Sequence, residues 1–285
     1  MAAGGVSRSD ALEAATEAFG AAGIPDPRTD AEVLLAGITG MPRAELVVRS
    51  DESLEPPESR RFGEAVRRRL HREPVAYILG HQGFRRLEIA VDPRVLIPRP
   101  ETEGLVEVAL EASPSKVLEV GTGSGAVALA IADEIPDCEV VATDISPDAL
   151  ALARTNAIGL GLADRVGFEV GTWPRGGGRF DLVVANLPYV DRELEAASLQ
   201  PEVASWEPDQ ALFGGQGGTE VIASVLDEMS PSGVVAELIA LEVGVGQALR
   251  VSGLLREAGF DGIEVRPDLA GIERVVVGRR PTGRG

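Results

Sequence analysis

The run Phe180-Asp181-Leu182-Val183-Val184-Ala185 is largely apolar and stops at Asn186-Leu187-Pro188-Tyr189. A side-chain amide, a backbone stiffened by proline and an aromatic ring adjoin one another where a buried strand would leave a sheet. Such a set can hold a flat –NH2 group. That kind of nitrogen is a weak nucleophile because its lone pair is delocalised into a carbonyl or a ring. Two acceptors, the Asn186 side-chain oxygen and the Leu187 backbone carbonyl, could take its two hydrogens and aim it at an electrophile. Pro188 would stiffen the turn and Tyr189 would stack on the flat group. The gain would be orientation and stabilisation of developing positive charge, with no metal and no covalent intermediate. Taken alone, the tetrapeptide also fits an ordinary strand-ending turn.

Upstream, Val117-Leu118-Glu119-Val120-Gly121-Thr122-Gly123-Ser124-Gly125-Ala126 reads as strand, tight turn and helix. Glycines let the chain turn sharply and bring a ligand close to the main chain, and the helix start beyond offers free N–H groups. The spacing Gly121-x-Gly123-x-x-Ala126 also fits a dinucleotide fingerprint. Asp144 lies 23 residues beyond Gly121 at the end of a second strand, where a carboxylate can accept from two ribose hydroxyls. Asp144 and Ser146 could equally cap the next helix. Three features favour S-adenosylmethionine over a nicotinamide: the tight GxGxG spacing, the acidic Glu119 placed to order an amino-acid end, and Asn-Leu-Pro-Tyr on a later strand. The carboxyl ends of neighbouring strands in a doubly wound sheet share one crevice. Glu119, Asp144 and Asn186 are therefore expected to line a single site.

Composition narrows the alternatives. Cys138 is the only cysteine and His71 and His81 the only histidines in 285 residues, which argues against a disulfide framework, a zinc enzyme or a Ser-His-Asp hydrolase. No metal is expected. Lys116 is the only lysine, the other 26 basic residues being arginine, so the phosphate loop GxxxxGK[ST] is absent. The net charge of −18 opposes general nucleic-acid binding. Arg60, Arg61, Arg67, Arg68, Arg69 and Arg72 could form a local docking face, or merely a solvated one. The sequence shows neither a long apolar span nor a signal pattern, and is read as cytoplasmic, monomeric and without a membrane partner.

Those site residues need a scaffold. Four short amphipathic helices are expected before Glu73: one capped by Ser9 and Asp10, one from Asp26-Pro27 to Gly40, one after Pro42, and one from Pro56 with its arginines outward. Val75, Tyr77 and Leu79 alternate, as do Leu87, Ile89 and Val91, which reads as a β-hairpin connector. Alternating strands and helices from Lys116 imply parallel βαβ units, with 263–265 and 272–277 an antiparallel pair at the sheet edge. The domains read as 1–73 helical and substrate-recognising, 74–91 a hairpin connector, and 92–285 Rossmann-like.

At this point the sequence resembles the release-factor glutamine N5-methyltransferases, which modify the glutamine of a Gly-Gly-Gln tripeptide in peptide chain release factors. The likeness is carried by 74–80, by Leu96-Ile97-Pro98-Arg99-Pro100-Glu101-Thr102-Glu103, by the glycine loop and Asp144, by Trp206-Glu207-Pro208, and by 268–274. It implies an α/β, class I S-adenosylmethionine-dependent methyltransferase domain behind a small helical bundle that helps grip the release factor. By the same resemblance Gly121, Thr122, Gly123, Ser124 and Gly125 would cradle the cofactor, Asp144 would hold its ribose, and Trp173 would lie against its adenine. Asn186, Leu187, Pro188 and Tyr189 would bind the substrate amide. The family's usual tetrapeptide is Asn-Pro-Pro-Tyr, and here Leu187 replaces the first proline. Asn-Leu-Pro-Tyr also resembles adenine-N6 methyltransferases, so RNA or DNA is an alternative substrate, and a cofactor-binding protein with weakened transfer is another. Gly214-Gly215-Gln216 repeats the substrate tripeptide within this chain and reads as a turn before a helix.

Overall fold

Prolines and glycines punctuate the first part of the chain, and each places a helix end. In a computed structural model, which describes residues 5–281, helix α1 (Arg8–Ala21) is capped by Ser7, whose hydroxyl accepts from the Asp10 N–H at 3.0 Å. The cap therefore lies two residues before the expected Ser9. Helix α2 (Pro27–Thr39) starts on a proline and ends at left-handed Gly40, and α3 (Arg43–Val48) and α4 (Pro56–Leu70) follow. Phe19, Leu34, Leu35, Leu46 and Phe62 are buried together as one apolar core.

Two expectations fail in this region. Val75–Leu79 is not a strand but helix α5, closed by left-handed Gly80. Val75, Ile78 and Leu79 all pack against the core of the first helices, a grouping that suits a helix better than alternation across a strand. Arg68 also donates to the carbonyls of Tyr77 and Ile78 at 3.2 Å each, satisfying carbonyls that a helix end leaves free. Nor do the α4 arginines all face outward: Arg69 is 5% exposed. It is paired with Asp30 and Glu202, each at 2.8 Å, because a buried guanidinium needs carboxylate partners. Arg68 pairs with Glu73 and Arg72 with Glu202, so three of the six expected docking arginines are spent on internal ion pairs.

The hairpin that does form is β1 (His81–Phe84) and β2 (Leu87–Ala90). After a one-turn 3-10 helix at Pro100–Thr102 come α6 (Glu103–Ala112), β3 (Lys116–Val120), α7 (Ala126–Glu134), β4 (Glu139–Asp144), α8 (Pro147–Gly159), β5 (Val166–Val170) and β6 (Gly178–Ala185). Between β6 and the next long helix lie two short helices, α9 (Pro201–Trp206) and α10 (Asp209–Leu212). Then follow α11 (Glu220–Met229), β7 (Val234–Glu242), α12 (Ala248–Glu257), β8 (Asp261–Pro267) and β9 (Glu273–Arg279). One compact unit comprises the chain up to His81 together with Gln200–Trp206; the other holds the remainder.

The second unit is an α/β sandwich around a seven-stranded sheet of order β5-β4-β3-β6-β7-β9-β8. β3 to β7 are parallel, and β9 runs antiparallel to both β7 and β8, as expected for the edge pair. Register decides what the sheet presents. Val120 pairs with Thr143 and with Ala185, and Ala185 pairs with Leu241. The next residues, Gly121, Asp144, Asn186 and Glu242, therefore emerge together at the carboxyl ends of four adjacent strands. Buried Asn156 fixes the glycine turn beneath them: its Nδ2 donates to the carbonyls of Ser124 at 2.8 Å and Ala90 at 3.0 Å.

Candidate active site

The strand-to-helix turn after β3 is built on glycines at positive φ. At Gly121 (φ 76°) a Cβ would stand 3.3 Å from Leu187 Cδ2, so the glycine loop and the Asn-Leu-Pro-Tyr segment touch at a point where only hydrogen fits comfortably. At Gly123 (φ 54°) a Cβ would meet no protein atom within 4 Å; this glycine is needed for its backbone angle, and it opens onto a cavity. The Gly123 N–H donates to Asp144 Oδ2 at 2.9 Å, and the Ser146 N–H to Asp144 Oδ1 at 2.8 Å. Ser146 Oγ caps α8 through Ala149 N–H at 3.2 Å. Asp144 thus secures the turn and the helix start at once, and each oxygen retains a lone pair for a ligand.

Glu119 is buried, and its Oε2 accepts from Thr122 Oγ1 at 2.5 Å and from the Ala128 N–H at 2.9 Å. Burial pushes its carboxyl up to about 8, with those two donors opposing the rise. Burial also raises the Asp144 carboxyl, against the pull of the Ser146 and Gly123 N–H groups.

A cavity of about 730 Å³ is lined by Glu119, Gly121 to Ser124, Asp144, Asn186, Leu187 and Pro188. Pro98, Arg99 and Thr102 of the proline-rich segment form another part of its wall. Asn186 Nδ2 donates to Thr102 Oγ1 at 3.0 Å, and among the described residues no donor meets Oδ1. Leu187 is 6% exposed and its side chain belongs to the core of the sheet domain. Leucine at this place fills apolar space while its backbone carbonyl stays part of the turn.

Three expected site residues, Gly125, Trp173 and Tyr189, are not on the cavity wall; at Gly125 a Cβ would instead meet Leu129 Cδ1 at 3.1 Å and Ala153 Cβ at 3.2 Å. Trp173 packs against the sheet-domain core with its indole Nε1 buried and unpartnered; its neighbours Gly171 and Thr172 line the cavity instead. Tyr189, expected to stack on a flat substrate group, donates its hydroxyl to Glu242 Oε1 at 3.2 Å. Its backbone carbonyl accepts from Gln247 Nε2 at 2.8 Å.

Sequence reasoning missed Thr102, Glu207 and Glu242. The signal for Glu242 was present: it is the first polar residue after the apolar run of β7, as Asn186 is after β6. Glu207 is buried, pairs with Arg99 and accepts from the Ile97 N–H at 3.2 Å, pinning the proline-rich segment. Burial raises its carboxyl while Arg99 opposes the rise.

The loop 214–218 packs backbone to backbone on the tetrapeptide. A Cβ at Gly218 (φ 69°) would lie 2.2 Å from the Tyr189 carbonyl oxygen. Gly218→Ala is expected to cost ~1–3 kcal/mol, from the left-handed angle plus backbone overlap. A lower melting temperature with reduced transfer checks this; unchanged melting would show that the loop yields freely.

A sheet whose strands run parallel but for one antiparallel strand next to its edge, a glycine turn after its first strand, an acidic residue ending the next and an Asn-x-Pro-Tyr strand end define a class I, S-adenosylmethionine-dependent methyltransferase. Comparison with known proteins agrees. Residues 10–80 match the PrmC N-terminal domain and residues 117–201 a methyltransferase domain. The chain is 41% identical over 283 residues to the release factor glutamine methyltransferase of Koribacter versatilis (strain Ellin345), covering 95% of this chain and 98% of that one. It is 39% identical over 279 residues to that of Deinococcus radiodurans, covering 96% and 99%. The human Mettl16 catalytic domain, solved with an RNA hairpin, is similar in fold, with TM-score 0.54 at 13% identity over 79% of this chain and 82% of that one. The chain belongs to the release factor glutamine methyltransferase family.

Proposed function

We propose that this protein transfers a methyl group from S-adenosylmethionine to the side-chain amide nitrogen of the glutamine in the Gly-Gly-Gln motif of peptide chain release factors, in the cytoplasm and in the service of translation termination. The observation that carries this reading is the state of Asn186: its amide nitrogen is taken by Thr102, so its oxygen is the group offered to a substrate. A primary amide has two hydrogens. Asn186 Oδ1 and the Leu187 carbonyl are the two acceptors that would receive them and hold the nitrogen in line.

The cradle fits the cofactor. Gly123 leaves open space beside the main chain, Asp144 has acceptor capacity for ribose hydroxyls, and Glu119 lines the same cavity for an ammonium. When bound, the cofactor supplies an electrophilic methyl on a sulfonium. The protein's part is to orient the nitrogen and to stabilise the positive charge it acquires. The amide proton is then lost from a nitrogen made acidic by that charge, so no strong base is required. Leu187 in place of proline leaves this chemistry intact, because the acceptor is a backbone carbonyl that any residue provides.

Incubation with methyl-labelled cofactor and a purified release factor is expected to label the factor at the glutamine of its Gly-Gly-Gln tripeptide. Label that appears in ribonuclease-sensitive material, with none in the release factor, would overturn the reading in favour of a nucleic-acid substrate.

A further inference from the structure

The Asn-Leu-Pro-Tyr tetrapeptide is anchored at both ends, and the second anchor has no part in the chemistry above. At its start, Asn186 Nδ2 donates to Thr102 Oγ1 at 3.0 Å. At its end, Tyr189 is met in three places by the one stretch of chain that closes and follows β7. The Tyr189 hydroxyl donates to Glu242 Oε1 at 3.2 Å. The ring edge lies against Gly244, where a Cβ would stand 3.1 Å from Tyr189 Cδ2. The main-chain carbonyl accepts from Gln247 Nε2 at 2.8 Å.

Gln247 stands at the start of α12, yet its side chain makes no capping bond to its own helix. Its Oε1 accepts from the Gly244 N–H at 2.9 Å, while Nε2 reaches a carbonyl 58 residues away in sequence. Holding so long a side chain in one rotamer costs conformational freedom, and two main-chain bonds offset that loss. Only one orientation of the amide serves both neighbours: the N–H on one side needs its oxygen, and the carbonyl on the other needs its –NH2. Glycine makes room for the approach. A Cβ at Gly218 would lie 2.2 Å from the Tyr189 oxygen and 2.5 Å from Gln247 Nε2, so no side chain fits beside this bond.

We propose that Gln247 is a positioning residue for methyl transfer, which fixes the Tyr189 carbonyl and through it the direction of the Leu187 carbonyl. The path is short. Leu187 and Pro188 alone lie between the two anchored residues, and the proline ring locks φ at 188. With Asn186 held ahead and Tyr189 held behind, the Leu187–Pro188 peptide plane is confined from both sides. Leu187 lines the cavity, and among the described residues no main-chain donor meets its carbonyl. That carbonyl is open to a substrate, and its aim depends on the anchors beside it. Leucine sharpens the dependence, because its own φ is not locked as that of a proline would be. The inference rests on the reading of the Leu187 carbonyl as the second acceptor of the substrate amide.

Gln247→Glu and Gln247→Met separate the two bonds. Glutamate keeps an oxygen for the Gly244 N–H and sets a second oxygen, in place of the donor, against the Tyr189 carbonyl. Methionine keeps the length and makes neither bond. With cofactor and release factor saturating, and rates taken per cofactor-binding site so that unfolded protein does not count, both variants should lose ~10-fold in kcat, as the loss of one well-made hydrogen bond implies. Glutamate should lose at least as much as methionine, because two oxygens then oppose each other. KM for the release factor and Kd for the cofactor should be little changed, since the glycine loop and Asp144 are untouched. A side chain that merely held the local fold through Gly244 would leave glutamate near parental and methionine impaired. Parental kcat in either variant, or a rate loss matched by weaker cofactor binding, would overturn the inference. The parent run alongside separates the layers: if it leaves the release factor's glutamine unlabelled, the reading beneath fails and the inference with it, and if it labels that glutamine while a variant keeps the parental kcat, the positioning role fails alone.

Discussion

Asn186→Ala is expected to reduce methyl transfer by ~10²–10³-fold, the range seen when one preorganised polar group at a reacting centre is removed. The loss follows from the arrangement at the strand end. Thr102 holds the amide nitrogen of Asn186 at 3.0 Å, so the side-chain oxygen is held in one direction before substrate arrives. Alanine removes that acceptor and leaves the Leu187 carbonyl to hold the substrate nitrogen by one hydrogen alone, free to rotate about it. The amide lone pair then spends little time aligned with the methyl. Cofactor binding should weaken only modestly, because Asp144 and the glycine loop are untouched. Single-turnover transfer from labelled cofactor measures the first quantity and calorimetric titration the second. A near-parental single-turnover rate would show that orientation is supplied elsewhere and would remove the amide clamp from the mechanism.

The parts of this site that were legible in the sequence are those whose chemistry is local. Gly121 to Gly125 turn a strand into a helix, and glycine takes up the positive φ of Gly121, Gly123 and Gly125 without the strain a side chain would bring. Asp144 and Asn186 are polar residues that end apolar runs, and the parallel register of β3, β4 and β6 brings them to one crevice without further information. The strand and helix alternation from Lys116 onward gave the sheet for the same reason, since its periodicity is strong on both sides of 186–219.

What was not legible depends on contacts distant in sequence. Val75, Tyr77 and Leu79 alternate like a strand, yet the segment is helical because its apolar groups share one neighbouring core and Arg68 takes its terminal carbonyls. Arg69 reads as a surface charge until Asp30 and Glu202, one before it and one far after it, close around it. Trp173 has the aromatic character expected of an adenine wall, but in this fold its ring goes to the core and its neighbours meet the cavity. The Asn186–Thr102 hydrogen bond joins a strand end to a proline-rich turn 84 residues earlier, and no local pattern announces such a pair.

Asp144→Ala should show the opposite kinetic signature from Asn186→Ala. Each hydrogen bond to a charged group is worth ~1.5–3 kcal/mol, so losing acceptors for two ribose hydroxyls should weaken cofactor binding by ~10²-fold or more. The same carboxylate also holds the Gly123 and Ser146 N–H groups, and without it the glycine turn loses the anchor that shapes the cavity wall. Transfer is different: no atom of Asp144 is placed against the reacting nitrogen, so kcat at saturating cofactor should stay within a few-fold of the parent. Asp144→Asn refines the point, since an amide keeps one acceptor oxygen while presenting two donors that compete with the backbone N–H groups; its affinity should fall nearly as far as that of alanine. Because burial raises the Asp144 carboxyl and ribose hydroxyls need the ionised form as acceptor, the parent's cofactor affinity should decline as pH falls through that raised value, and the Asp144→Asn variant should not share this decline. A lowered kcat with unchanged cofactor Kd in Asp144→Ala would mean that this carboxylate serves the reacting centre rather than the cofactor's ribose.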